Sequence, residues 1–421
     1  MRIFFFIILI NLILIKSTLV IPIKENDTAY NEELDKNLYF YFTKRLYINI
    51  SIGTPPQIIP TYLNFEKPGF YFSTEENKMY NKLDSSSFRQ VSPNQTYNDE
   101  YFDYGNFSSE TMRFKNDQNK EIIINDFNFI LASNHRKLSS FKPGEIGLKM
   151  IKTNSAFPSN FIFQLKQRNI IEKIVFSYIF YNKFEGDFLV GKYPHEYNNK
   201  VYKEENLRLL SADVTHEVQI WCTNFDNVYF GNTLIKDDIK TIYFKSEFSG
   251  ITVSDKFFKN CSQIFFNQYF NNKKCTINKK HSSYNFVICD SDIDISKFPS
   301  LKFEHRIWNY TFELNYNDLF IKFGDKYYCL FAFYSFNTDV WYLGEVFLRK
   351  YTIVFDQDNK VMGFYHPYIE KGNQYILTVF ISIILILCIL LLIFLYYKFL
   401  NRKQRRIRNN EIDDNYEYLI K

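Results

Sequence analysis

Two short runs, Leu63-Asn64-Phe65-Glu66 and Lys245-Ser246-Glu247, hold the side chains on which the chemistry of this chain turns. Hydrolysis of an amide by side-chain acids needs two carboxylates in close contact. Like charges at that distance share one proton, and together they position and activate a water. The acids these runs offer are Glu66 and Glu247. Asn64 cannot ionise, so it cannot take a proton from water. Lys245 depresses the pKa of a neighbouring carboxylate and disfavours a shared proton. Its simplest role is an ion pair with Glu66 or Glu247 that locks its surroundings. The six histidines show no ligand spacing such as H-E-x-x-H, which predicts no metal, and no cofactor motif is present.

The elements that must position these groups are strands. The chain has 421 residues, 46% of them hydrophobic, with 33 Tyr and 46 Phe in short alternating runs. That length and pattern predict a mainly β protein with two lobes, each with its own core. A net charge of +5 spread along the chain gives no nucleic-acid surface.

The ends point to a membrane. An apolar run from Ile3 to Ile15 predicts a signal peptide over residues 1–20, with cleavage between Ser17 and Ile23. Residues 375–397 carry no charge, and as a helix would span about 35 Å, enough to cross a bilayer. Lys398, Arg402, Lys403, Arg405, Arg406 and Arg408 follow, which makes residues 398–421 a cytosolic tail. Tyr416-Glu417-Tyr418-Leu419 in that tail is similar to a tyrosine-based sorting signal. The expected protein is a single-pass type I membrane protein of the secretory pathway or cell surface. Its luminal or extracellular part contains Cys222, Cys261, Cys275, Cys289 and Cys329, and the acceptor sequons of Asn26, Asn49, Asn94, Asn106, Asn260 and Asn309. Cys388 lies in the span, where it is expected to pack as an apolar residue.

Longer motifs add a family. Tyr47 to Gln57 (YINISIGTPPQ) is an alternating strand entering a Gly-Thr-Pro-Pro turn, and resembles the entry strand of a pepsin-like aspartic protease. Trp341 to Phe364 (WYLGEVFLRKYTIVFDQDNKVMGF) resembles that family's closing hairpin. Between them Tyr104-Gly105, Gly144 to Leu148 (GEIGL), Gly186 to Tyr197 and Ile220 to Phe230 follow in family order. The resemblance covers residues 40 to 368. It implies a bilobal fold, with an N-terminal extension at 21–45, an N-terminal lobe at 46–205 and a C-terminal lobe at 206–368. Each lobe should bring one Asp-Thr/Ser-Gly turn to the floor of a peptide-sized cleft.

By that resemblance Asn64 and Lys245 occupy the two Asp positions, and Glu66 and Glu247 the two turn glycines. Phe65 replaces a bracing hydroxyl, whereas Ser246 keeps one. Tyr104-Gly105 would be the flap tip lining the cleft, and a glycan on Asn106 would obstruct it. The 21–45 segment is mostly acidic, unlike a basic prosegment. The resemblance also implies a disulfide between Cys289 and Cys329; Cys261 with Cys275 is a candidate second pair that leaves Cys222, and sequence leaves this connectivity open.

Three functions fit these residues. The first is an inactive protease homologue that binds an extended peptide or a protein partner. The second is an active membrane-bound endopeptidase using Glu66 and Glu247, and the third is a structural surface glycoprotein.

Overall fold

The computed structural model describes residues 18–25, 46–73, 80–99, 102–133, 143–150, 160–182, 185–212, 221–246, 248–278, 284–334, 340–366 and 381–403. They separate into a folded unit ending at His366 and a second unit from Pro367 onward.

Within the folded unit, strands β1 (Leu19–Glu25), β2 (Leu46–Ile52), β3 (Gln57–Asn64), β4 (Phe70–Ser73), β5 (Arg89–Asp99), β6 (Phe102–Lys115), β7 (Glu121–Ser133) and β8 (Gly144–Gly147) open a sheet. It is extended by β9 (Val175–Phe180), β10 (Gly186–Val190) and β11 (Leu207–Ser211). A second sheet uses β12 (Cys222–Phe230), β13 (Thr233–Phe244), β14 (Ile251–Ser254), β15 (Cys275–Asn278) and β16 (Tyr284–Asp290). To these it adds β17 (Leu301–His305), β18 (Tyr310–Leu314), β19 (Phe320–Phe323), β20 (Lys326–Tyr334) and β21 (Trp341–Leu343). The chain then returns to the first sheet with β22 (Ile353–Asp356) and β23 (Val361–Tyr365), which lie between β11 and β9. Strands are the favoured state here because β-branched and aromatic residues alternate with polar ones. β2 reads buried and half-buried in strict alternation from Leu46 to Ile52.

The two halves repeat one arrangement. β3 runs parallel to β8 and β13 parallel to β21; β4 is antiparallel to β8, and β14 to β21. β4 is parallel to β7, and β14 to β20. The ends of β3 and β13 are Asn64 and the residue before Lys245, so the repeat carries both runs to equivalent places. Each place is pinned by a glycine. A Cβ on Gly147 would meet the Lys67 carbonyl oxygen at 2.3 Å, and one on Gly344 would meet that of Phe248 at 2.1 Å. No other residue allows the two loops to approach their strands so closely.

The described strands move several sequence-derived boundaries. Leu19 is fully buried and paired with Val190, and Ile23 to Glu25 pair with β2. The expected signal segment and N-terminal extension therefore share a strand of the first sheet, because Leu19, Ile21 and Ile23 alternate into its core. The expected C-terminal lobe likewise gives β22 and β23 to the first sheet. Residues 1–17 and 26–45 lie outside the described residues.

In the second unit, Ile381–Lys403 is a helix of mean hydropathy 2.8, long and apolar enough to cross a membrane. It runs past the expected end of the span at 397. Residues 375–380 and 404–421, with the Tyr416 motif, lie outside the described residues.

Candidate functional site

β3 ends on Asn64 because the side chain itself makes the turn. Its Oδ1 accepts the Glu66 amide at 2.8 Å, a local bond that competes with strand continuation. The Asn64 carbonyl accepts the Leu148 amide at 2.7 Å, which fixes the turn against the end of β8. Asn160, the N-cap of helix Phe161–Gln167, donates its side-chain amide to the Pro68 carbonyl at 2.7 Å and braces the loop that follows.

The Asn64 side-chain amide then donates to Glu145 Oε1 at 2.7 Å, and both residues are 7% exposed. Glu145 stands on β8, paired across from Tyr62. Its other oxygen accepts Lys67 Nζ at 2.5 Å, and that ammonium lies 5.2 Å from the Tyr71 ring centroid. A buried carboxylate is costly unless paired, and Glu145 has both an ammonium and an amide. Position 64 itself is uncharged, and the carboxylate beside it on β8 is neutralised by Lys67.

The opposite run is built differently. The Lys245 amide donates to the Leu343 carbonyl at 2.9 Å, which seats the residue at the end of β13 beside β21. Its Nζ pairs with Glu66 Oε1 at 2.6 Å and lies 4.1 Å from the Tyr342 ring centroid. Ser246 Oγ donates to the Leu63 carbonyl at 2.7 Å. Trp221 Nε1 donates to the Leu148 carbonyl at 2.7 Å. These three contacts join residues before Asp213 to residues after Ile220, adding an ion pair and two hydrogen bonds to the β9–β22 and β11–β23 ladders that cross the same junction.

Phe65 contributes none of this polarity. It is fully buried, with ring centroids of Phe355, Phe176 and Tyr178 at 4.9, 6.0 and 6.0 Å. Where the resemblance implies a bracing hydroxyl, the chain has an aromatic core residue.

The other buried carboxylates among the described residues also have assigned work. Glu110 accepts Tyr80 OH at 3.1 Å, Ser87 Oγ at 2.5 Å and the Thr111 amide at 2.8 Å. Burial and Glu110 together push the Tyr80 phenol well above its ordinary range. Glu345 pairs with Arg349, and Asp356 accepts from Tyr193 and Asn359.

A family profile described as eukaryotic aspartyl protease matches residues 46–366, which is more than half of the chain. The chain belongs to that family. Among solved structures it is similar to basic 7S globulin from soybean, with a TM-score of 0.60 at 12% identity over 83% of this chain and 95% of the globulin. That likeness shows a shared pepsin-like fold. No curated protein matches the sequence.

Asn64 ends β3 and Lys245 directly follows β13, the two equivalent strands. Glu66 meets Lys245, while Glu247 lies outside the described residues. Tyr104 and Gly105 are not at a hairpin tip. The β5–β6 register pairs Asp99 with Phe102, and Gly105 sits inside β6 between Tyr97 and Ala132. The Tyr104 side chain lies outside the described residues. Asn106 is half-buried between Thr96 and Leu131 rather than exposed at a tip.

The expected disulfides are corrected as well. In place of Cys289–Cys329 and Cys261–Cys275, the structure joins Cys275 to Cys289. Those two residues are direct partners across the β15–β16 ladder, whereas Cys289 faces Tyr327 on β20. Cys261 and Cys329 are buried free thiols, and Cys222 is buried as well. Burial pushes the Cys329 thiol up to about 12 and the Cys261 thiol also well up.

Glu145, Lys67 and Tyr342 were missed by sequence reasoning. Glu145 did carry a signal, as the one charge inside the otherwise apolar GEIGL stretch.

Proposed function

We propose that this chain is a proteolytically silent member of the aspartyl protease family whose cleft binds an extended peptide or a segment of a protein partner. The observation that carries this reading is the engagement of the floor groups. Asn64 is spent on Glu145 and on its own turn, and Lys245 is ion-paired to Glu66. A general base must be free to take a proton from water, and a shared-proton pair needs two carboxyls without an ammonium between them. A cleft without that chemistry can still hold a strand by main-chain hydrogen bonds.

The helix Ile381–Lys403 and the basic residues at its C-terminal end support a single-span anchor with the folded unit on the luminal or extracellular side. Neither a cofactor nor nucleic acid enters this reading.

The test is cleavage of a diverse peptide library by the full-length protein in detergent micelles from pH 3 to 7, alongside Glu66→Gln and Glu247→Gln variants. The expected outcome is no turnover, with saturable binding of a subset of the peptides. Turnover that either Gln substitution abolishes would overturn the reading and make the two glutamates the acid pair. Neither turnover nor binding would leave the structural surface glycoprotein.

A further inference from the structure

The acceptor sequons are not equivalent once folded. Of those with described side chains, Asn49 and Asn106 are half-buried within strands, and the Ser108 that completes the second sequon is fully buried. Asn309 differs in every respect. It closes the tight turn between β17 and β18, its amide donating to the Arg306 carbonyl at 2.9 Å, and its φ of 49° lies in the left-handed region that Asn tolerates. Its side chain is exposed, and so is that of Thr311, which completes Asn-Tyr-Thr.

We propose that Asn309 carries an N-linked glycan and that the folded protein carries none at Asn49 or Asn106. This rests on the luminal placement of the folded unit proposed above. The donor is a polyprenyl-pyrophosphate-linked oligosaccharide, used by a luminal oligosaccharyl transferase. A bond forms between Asn309 Nδ2 and the anomeric carbon, the bond from that carbon to the pyrophosphate oxygen breaks, and the pyrophosphate leaves with the electron pair as the amide nitrogen gives up one proton. Transfer precedes folding, so burial acts as a filter. A chain glycosylated at Asn106 would have to seat a bulky polar oligosaccharide on the face of β6 that Asn106 shares with the fully buried Ser108. At Asn309 nothing has to move. The turn also marks where the chain leaves the folded unit, since His366 Nε2 hydrogen-bonds the Trp308 carbonyl at 3.0 Å and its ring lies 4.7 Å from that of Tyr310. The glycan would stand beside that exit.

The experiment is translation of the full chain with endoplasmic-reticulum microsomes, followed by amidase deglycosylation and peptide mass analysis. Thr311→Ala removes the acceptor while keeping Asn309 in its turn, and Thr311→Ser keeps the acceptor. Val201→Thr adds a control sequon at the exposed Asn199-Lys200 turn. The expected result is conversion of Asn309 to Asp by the amidase, loss of one mobility step in Thr311→Ala, its retention in Thr311→Ser, and no conversion at Asn49 or Asn106. If the control is modified and Asn309 is not, the proposal fails while the topology stands. If the control is also unmodified, the luminal placement fails and takes the glycan with it.

Discussion

The side-chain amide of Asn64 donates a 2.7 Å hydrogen bond to the carboxylate of Glu145. The residue that ends β3 thus serves a carboxylate instead of being one. Asn64→Asp sets two carboxyls at hydrogen-bond distance with the Lys67 ammonium beside them. One of the two must hold a proton, so the new Asp has a folded pKa above its unfolded value of about 3.9. A raised carboxyl pKa contributes most stability below the unfolded value and loses it as pH rises through the folded one. The variant should unfold at nearly the parental denaturant concentration near pH 3.5, and lose about 2 kcal/mol by pH 7. No peptidase activity should appear, because both carboxyls come from neighbouring strands of the first sheet. Urea titrations across that pH range check the first statement, and peptide cleavage the second.

The pair between Glu66 and Lys245 is the polar contact most open to solvent at the floor, with side chains 35% and 15% exposed. Screening limits such a pair, so its coupling should be about 1 kcal/mol. A double-mutant cycle with Glu66→Gln and Lys245→Met measures it. A coupling near zero would mean that Ser246, Trp221 and the β9–β22 and β11–β23 ladders hold the junction without it.

The architecture was legible because it is written in backbone demands. Alternation in Tyr47 to Gln57 and the glycines at 147 and 344 leave few alternatives to the observed strands and close approaches. That positions 64 and 245 carry an amide and an ammonium was equally plain, since residue identity needs no geometry. What sequence did not carry was the partner of each replacement. Glu145 meets Asn64 only because β8 runs parallel to β3 in one register, and Lys67 reaches it from a turn whose shape Asn160 sets. The disulfide was misjudged for the same reason, as Cys275 and Cys289 are partners in a ladder that spacing does not specify.

Phe65 separates descent from present use. Phe65→Thr would restore the hydroxyl that the family resemblance implies, at a site packed by Phe176, Tyr178 and Phe355. Truncating a fully buried Phe removes its transfer free energy and leaves a cavity, so the variant should lose about 3–4 kcal/mol. Chemical denaturation measures that loss. A near-neutral result would mean that the hydroxyl finds a bracing acceptor, as Ser246 does.

His305 gives the folded unit a pH dependence of its own. The ring is buried and stacked on Trp308 with centroids 4.1 Å apart, and its Nδ1 accepts the Trp308 amide at 3.2 Å. Burial lowers its pKa, opposed in part by Asp226. Between the unfolded value of about 6.5 and the lower folded value, the unfolded chain takes up a proton that the folded one resists. Its stabilising contribution is therefore complete above about 6.5 and is lost as pH falls through the folded value. The midpoint of thermal unfolding should fall on acidification from pH 7 to 5. His305→Asn, which keeps an acceptor for the Trp308 amide without a titrating ring, should flatten that fall. An unchanged slope in the variant would assign the dependence to other groups.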